Sequence, residues 1–302
     1  MTELSRTILE HYQVRKTYRQ KTAFIDLLKA HIPGVSVQKS SFLKCRNLIV
    51  GDVASADIIL SAHYDTCARL PFPNFIAPRN PFLSILYGFI PAIVFLGITL
   101  LIDALLSLFV NDLSIRRIVS FCVYFGLLSI LFAGPANKHT ANDNTSGVIT
   151  LCELLQILNE DSRQKVAFVF FDQEELGLLG SSLFRKKYKK VLGDKLLINF
   201  DCVSDGDHIF VCANKGARKH YEIRLKESFL ATDEKSILFT NAEKAYYPSD
   251  QQGFSNSVAI CVLKYKWYLG YHMNRIHTKR DTVFDKKNIQ HICNCILRFL
   301  KQ

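Results

Sequence analysis

An α/β sandwich with a largely parallel central sheet, interrupted by an inserted hydrophobic helical hairpin, is the fold that this 302-residue sequence predicts. Three observations carry it. From residue 146 onward, short apolar runs alternate with helix-length amphipathic stretches, the order that lays covering helices over parallel strands. One of those runs, Val166–Phe171, is uncharged and β-rich, as a strand buried on both faces must be. Between residues 81 and 133 charge nearly vanishes.

Residues 1–31 place Ile8, Tyr12, Phe24, Leu27 and Leu28 at helical spacing among many charges, and Ile32-Pro33-Gly34 ends the pattern, which predicts one or two outer helices. Cys45–Val50 and Ile58–Ala62 predict short strands, with Gly51-Asp52 as a hairpin turn between them. The second runs into His63-Tyr64-Asp65. From Pro81 to Val110 the only charge is Asp103, and from Ile118 to Ala133 there is none. A bilayer crossing needs about 20 apolar residues. The first segment is long enough with Pro91 inside it, and the second reaches that length if Ile115 and the adjoining arginines snorkel. These segments predict a helical hairpin contacting the lipid bilayer through residues 82–133; the alternative is a hydrophobic lid or dimerisation hairpin packed on protein. A hairpin returns the chain to the side it left, so residues 1–69 and 139–302 are expected to form one domain around the insertion at 70–138. Beyond it the pattern predicts a helix over Ser146–Asn159, a strand at 166–171, a helix at 177–190 and a strand at Leu196–Phe200. A strand at Ile209–Cys212, a helix at 217–230, a strand at Val258–Leu263 and an amphipathic helix at 286–300 complete the chain.

The net charge of +11 comes with no RNA- or DNA-binding motif. Its densest run, Arg185–Lys190, lies on a predicted helix and reads as a solvated face, with attraction to anionic lipid or nucleic acid as the alternative; no nucleic-acid partner is expected. Nine cysteines occur without C-x-x-C pairs, and Cys152, Cys202, Cys212 and Cys261 sit in apolar surroundings, as core residues in a reducing compartment do. The first six residues lack the apolar stretch of a cleavable signal peptide. A membrane protein with its catalytic part on the cytoplasmic side is the expectation.

In parallel sheets reactive groups collect beyond the carboxyl ends of the strands. His63 and Asp65, Glu174 and Glu175, Asp201 and His277 fall at or after predicted strand ends, and Asp143 in Ala141-Asn-Asp-Asn-Thr-Ser-Gly147 directly precedes a helix. Each has an ordinary use: Asp143 as a helix N-cap, Glu174 and Glu175 as acids favoured by a helix N-terminus, His63 and Asp65 as a polar loop. Adjacent acids at a strand end point in different directions, so one can bind a metal while the other handles a proton.

The order H-x-D, D-N-x-S-G, E-E-x-G-x-x-G-S, N-x-D, S-D and H-T-x-x-D-T over residues 45–302 resembles the co-catalytic di-zinc aminopeptidases of the bacterial leucyl aminopeptidase type, zinc exopeptidases whose fold is shared with glutaminyl cyclases. The resemblance implies a three-layer α/β/α sandwich with a largely parallel mixed sheet, and two Zn2+ per chain bridged by Asp143. His63 and Asp201 would complete one metal's ligands, and Glu175 and His277 the other's. It makes Glu174 the general base and Asp65 the acid that orients His63. It implies an aminopeptidase, a metallopeptidase hydrolysing peptides with a free N-terminus. The donor chemistry agrees: zinc takes imidazole nitrogen and carboxylate oxygen, and manganese or cobalt fits carboxylate-rich sites too. Asp281 can orient His277 or its loop. Ile276 stands where many relatives have a tyrosine that helps hold the substrate oxyanion, which leaves Tyr247, Tyr271 or Tyr268 as substitutes and Asp250 of the S-D segment as a further substrate-binding candidate. A related zinc amidohydrolase, a glutaminyl cyclase-like enzyme and a catalytically dead receptor or scaffold are the alternatives.

Overall fold

In the computed structural model, which describes residues 1–41 and 44–301, the N-terminal segment folds as two helices, α1 (Glu3–His11) and α2 (Tyr18–His31). Thr2 caps the first, and Thr17 with Gln20 forms a capping box on the second, which satisfies backbone N–H groups that a helix start leaves open. Three strands follow, β1 (Ser36–Lys39), β2 (Arg46–Val50) and β3 (Ile58–His63), then two long helices, α3 (Pro81–Leu106) and α4 (Leu113–Ala133). An irregular turn at Ala141–Ser146 leads into α5 (Gly147–Ile157) and α6 (Glu160–Gln164). The remainder is β4 (Val166–Phe171), α7 (Leu179–Leu192), β5 (Leu196–Phe200), β6 (His208–Ala213), α8 (Lys215–Ser228), β7 (Ser236–Asn241), β8 (Asn256–Lys266), β9 (Gly270–His272) and α9 (Lys286–Lys301).

The sheet order is β1-β2-β4-β3-β5-β8-β6-β7, with β9 paired to the end of β8. Strands β4, β3, β5 and β8 run parallel, while β1, β2 and β6 are antiparallel to their inner neighbours. The expected hairpin between β2 and β3 is not formed, because β4 lies between them. Both β3 and β4 are buried along their whole length, so each needs a partner on both edges. Gly51 turns the chain away at φ +87, where an added Cβ would meet the carbonyl of Val166 at 2.9 Å. Strands β1 and β7, absent from the sequence expectation, are sheet edges with mixed burial and no clean alternation.

Alternating side chains put Leu60, Phe168, Phe170, Ile198 and Ile260 into the core that α1, α2, α5, α8 and α9 cover. The opposite face sends Ile59, Val169, Phe171 and Leu197 against Phe184 of α7. Beside it, Phe210, Ala259 and Cys261 meet Tyr247, Met273 and Ile276 from loops. Helix α2 is tied to the site end of β4 by a buried ion pair, Lys21 Nζ to Asp172 Oδ1 at 2.6 Å, while Asp172 Oδ2 accepts from the Arg46 backbone N–H at 2.8 Å. Lys21→Met leaves that carboxylate buried without its cation. It is expected to destabilise the protein by about 3–5 kcal/mol, measured as a lowered urea midpoint, whereas an unchanged midpoint would show the pair to be dispensable.

Helices α3 and α4, of 26 and 21 residues, pack on one another and are long and apolar enough to cross a membrane. At 1.5 Å per residue they reach about 39 and 31 Å, against a hydrocarbon core of about 30 Å. No residue of α4 is buried, and in α3 only Ser84 and Thr99 are. Asp103, the one acid of α3, pairs with Arg116 of α4 at 2.6 Å. The hairpin's two roots are knitted to one loop of the α/β part: the Leu70 N–H donates to the His277 carbonyl at 2.8 Å, and the Asn137 side chain donates to that of Thr278 at 3.0 Å.

Candidate metal centre

Five chain segments meet beyond the carboxyl ends of β3, β4 and β5. His63 is the last residue of β3, and its Nε2 faces Asp143 Oδ1 at 3.4 Å and Asp201 Oδ1 at 3.5 Å. His277 Nε2 faces the other oxygen of the same carboxylate, Asp143 Oδ2, at 3.0 Å and Glu175 Oε2 at 3.2 Å. Asp143 therefore stands between two sets of donors, one oxygen to each.

Backbone and side-chain hydrogen bonds hold these groups in place. Asp143 is extended inside the irregular turn (φ −108, ψ 98), and its peptide to Asn144 is cis. The Asp281 carboxylate accepts from the N–H groups of Asn142 at 2.8 Å and Asp143 at 3.0 Å. Asn144 clamps the turn to the end of β5, donating to the Phe200 carbonyl at 2.9 Å and accepting from the N–H of Cys202 at 3.2 Å, so Asp143 and Asp201 share one support. An added Cβ at Gly147 would lie 2.4 Å from that Phe200 carbonyl and from Asn144 Oδ1, which no side chain tolerates. The Glu174 and Glu175 N–H groups donate to the two oxygens of Asp65 at 2.9 and 3.3 Å. His63 Nδ1 lies 3.1 Å from the Asp65 carbonyl and 3.7 Å from its carboxylate, so the backbone oxygen is the nearer orienting group.

Among the described residues, five non-glycine residues adopt positive φ, and four of them, Gln173, Leu178, Cys202 and His277, belong to these loops. Such conformations cost energy and gather where function demands a shape.

Electrostatics points the same way. Burial pushes Glu175 up to about 8 and Glu174 well above the usual carboxylate range, Glu175 and Asp250 adding to the rise of the latter. Burial opposes charge on His277, but Glu175 and Asp143 outweigh it and raise the imidazole to about 9. Burial likewise opposes ionisation of Asp143, yet His277 and His63 hold its carboxyl below the usual range. Acids crowded together around two imidazoles are a donor set that a divalent cation would suit. Glu175 Oε1 and Asp201 Oδ1 are buried with no hydrogen-bond partner, as ligand atoms are without their ion. The groups His63–Glu174–Asp201 and His63–Asp143–Glu175 each bring donor atoms within 4.8 Å of one another, which fits a metal.

The structure thus gathers His63, Asp65, Asp143, Glu174, Glu175, Asp201 and His277, and places Asp281 behind Asp143. Tyr247 is buried and its hydroxyl donates to the Asp201 carbonyl at 3.0 Å. Asp250 is fully buried, its carboxyl raised to about 7 by burial. Tyr271 packs against His208 and Tyr265 on the β8–β9 ribbon, Tyr268 is exposed at its tip, and Ile276 is a core residue. Three further residues near the site were not singled out as candidates from the sequence. Cys67 groups with Glu175 and His277 as potential donors, and Cys202 with Asp143 and Asp201. Arg15, between α1 and α2, is fully buried, and its guanidinium donates to the Tyr64 carbonyl and the Thr145 hydroxyl, tying together the segments of His63 and Asp143. Its position between two helices carried no local signal. A small cavity beside Glu175 is lined by Asp65 and Cys67 together with Leu131 and Phe132, from the end of α4.

Residues 128–300 match the profile of peptidase family M28. No curated protein sequence matches the chain. Among solved structures it is similar to LapA of Legionella (TM-score 0.55, 12% identity, over 99% of this chain and 71% of that one). It is also similar to LapB of Legionella pneumophila (0.54, 13%, over 99% and 70%) and to the glutaminyl cyclase of Macrostomum lignano (0.55, 10%, over 99% and 88%). At these identities the likeness is one of fold.

Proposed function

This chain belongs to peptidase family M28, and we propose that it is a membrane-anchored aminopeptidase holding two Zn2+. The observation that carries the reading is the two-sided Asp143, whose oxygens face His63 with Asp201 on one side and His277 with Glu175 on the other. These five residues would hold the ions, with manganese or cobalt accepted by the same donors. Bound there, the metals would lower the pKa of a water and polarise the substrate carbonyl.

The chain's own groups do the rest. Glu174, beside His63 and Asp201, takes a proton from the attacking water and passes it to the leaving amine. Asp65 is a positioning residue: its carbonyl accepts from His63 Nδ1, which leaves Nε2 free for a metal, and its carboxylate holds the Glu174–Glu175 backbone. Asp250, buried near Glu174 and not among the proposed ligands, suits a substrate that arrives with a free ammonium.

We further propose that residues 70–138 are an insertion carrying a bilayer hairpin at 82–133, and that 1–69 and 139–302 form the peptidase domain on the cytoplasmic side. Support comes from the exposed apolar faces of α3 and α4 and from the nine cysteines, eight of them buried and none paired. The roots bonded to the His277 loop, with Leu131 and Phe132 beside Glu175, would set the site close to the membrane and favour short or membrane-proximal peptides.

The test compares a free-amine peptide with its N-acetylated twin on detergent-purified protein loaded with zinc. Acetylation is expected to lower kcat/KM by at least about 100-fold, the loss that follows when a site built for a charged group goes unpaired. Equal cleavage of both would replace the aminopeptidase by an amidohydrolase. Cyclisation of an N-terminal glutamine without cleavage would replace it by a cyclase.

A further inference from the structure

Strand β8 outruns the sheet. Residues up to Leu263 are buried, but Lys264–Lys266 pair only with β9, in an antiparallel ribbon closed by Trp267-Tyr268-Leu269. Trp267 is 85% exposed, Tyr268 57% and Tyr265 54%. The Lys266 ammonium lies 5.7 Å from the Tyr268 ring. A ribbon tip that offers tryptophan, tyrosines and lysines to the outside has the composition of a membrane–water interface, where an aromatic body and a polar edge are both satisfied.

Its place in the fold supplies the second argument. The ribbon is packed on the root of α3: Ile76 bridges to Met273, directly after β9, and Phe75 stacks on His272 at 5.8 Å and meets Tyr87 of α3 at 5.2 Å. Arg79, just before α3, lies 5.4 Å from the Tyr271 ring. From His272 to Trp267 a strand spans at most about 17 Å. A headgroup layer is about 5–8 Å deep on each side, so a tip anchored at the helix root is within its reach.

We infer that the β8–β9 tip, Trp267-Tyr268, is a second membrane contact that rests in the headgroup layer beside the root of α3. It rests on the membrane reading of the hairpin given above. The ribbon gives the peptidase domain a second point on the bilayer beside the hairpin, whose two roots are bonded to the His277 loop, and the two together fix the tilt of the domain. The lysines favour an anionic surface.

Trp267 is the chain's only tryptophan, so the emission of the unaltered full-length protein reports the tip alone. Cys122, on α4, is the one exposed cysteine and reports the hairpin. The protein is reconstituted into phosphatidylcholine–phosphatidylserine vesicles and into matched vesicles whose phosphatidylcholine is brominated near the headgroup end of its acyl chains. The expected result is at least about twofold quenching of Trp267 by the brominated lipid, weak quenching by aqueous iodide, and Cys122 protected from a water-soluble maleimide. Cys122 protected with Trp267 unquenched by bromine and open to iodide would overturn the ribbon contact and leave the hairpin in the bilayer. Trp267 shielded from iodide yet unquenched by bromine would overturn it in favour of a second copy of the chain covering the tip. Cys122 labelled in vesicles would remove the membrane reading and this inference together.

Discussion

Asp143→Asn is expected to empty the proposed two-metal centre: bound metal falls to none and peptidase turnover is lost with it. Among the described residues, Asp143 is the one whose carboxylate is ion-paired with both histidines, at 3.4 Å to His63 and 3.0 Å to His277. An amide keeps the size but turns one of those two oxygens into an N–H donor and removes the charge that both ions would share. Substituting even a group that only supports a ligand typically weakens metal binding by 10–100-fold, so a shared ligand should cost at least about 100-fold. Elemental analysis of the dialysed variant, beside a circular dichroism spectrum to show that it folds, reads the effect. Retention of both ions with normal turnover would show that Asp143 bridges nothing and would reduce the turn to a helix start.

Glu174→Gln is expected to do the opposite with respect to the metals and the same to the rate. Metal content should stay at the wild-type level, because the four pairs that frame Asp143 involve His63, His277, Asp201 and Glu175. Turnover should fall by about 10²–10⁴-fold, the usual contribution of a positioned general base. Glu174 would take a proton from water and hand it to the leaving amine, from a buried position that raises its carboxyl well above the usual range, with Glu175 and Asp250 adding to the rise. A glutamine can neither accept nor carry that proton. A variant with full metal and undiminished turnover would move the base elsewhere. A variant with neither metal nor turnover would make Glu174 a ligand instead.

Much of this was legible from local sequence. Val166–Phe171 and Leu196–Phe200 are strands with the expected bounds because a short uncharged apolar run has few other stable states. The residues at the ends of β3, β4 and β5, with His277 and the Asp143 turn, do converge, since a parallel sheet lines up its carboxyl ends. The uncharged block does form two long helices with exposed apolar faces.

Other features have no local signature. That β4 separates β2 from β3 depends on which buried strands need partners on both edges, a demand that no neighbouring residue encodes. The clamp from Asn144 to β5 joins residues more than fifty positions apart, and Arg15 reaches Thr145 across 130. A polar side chain's type states what it can bond; only the assembled fold states what lies opposite. For this protein the sequence by itself determined which elements form and which donors are on offer, because periodicity and motif order are properties of the chain. The tertiary structure alone decided which oxygen of Asp143 faces which histidine, and that the hairpin's roots are bonded to the His277 loop, because those are distances between segments that meet only when the sheet is complete.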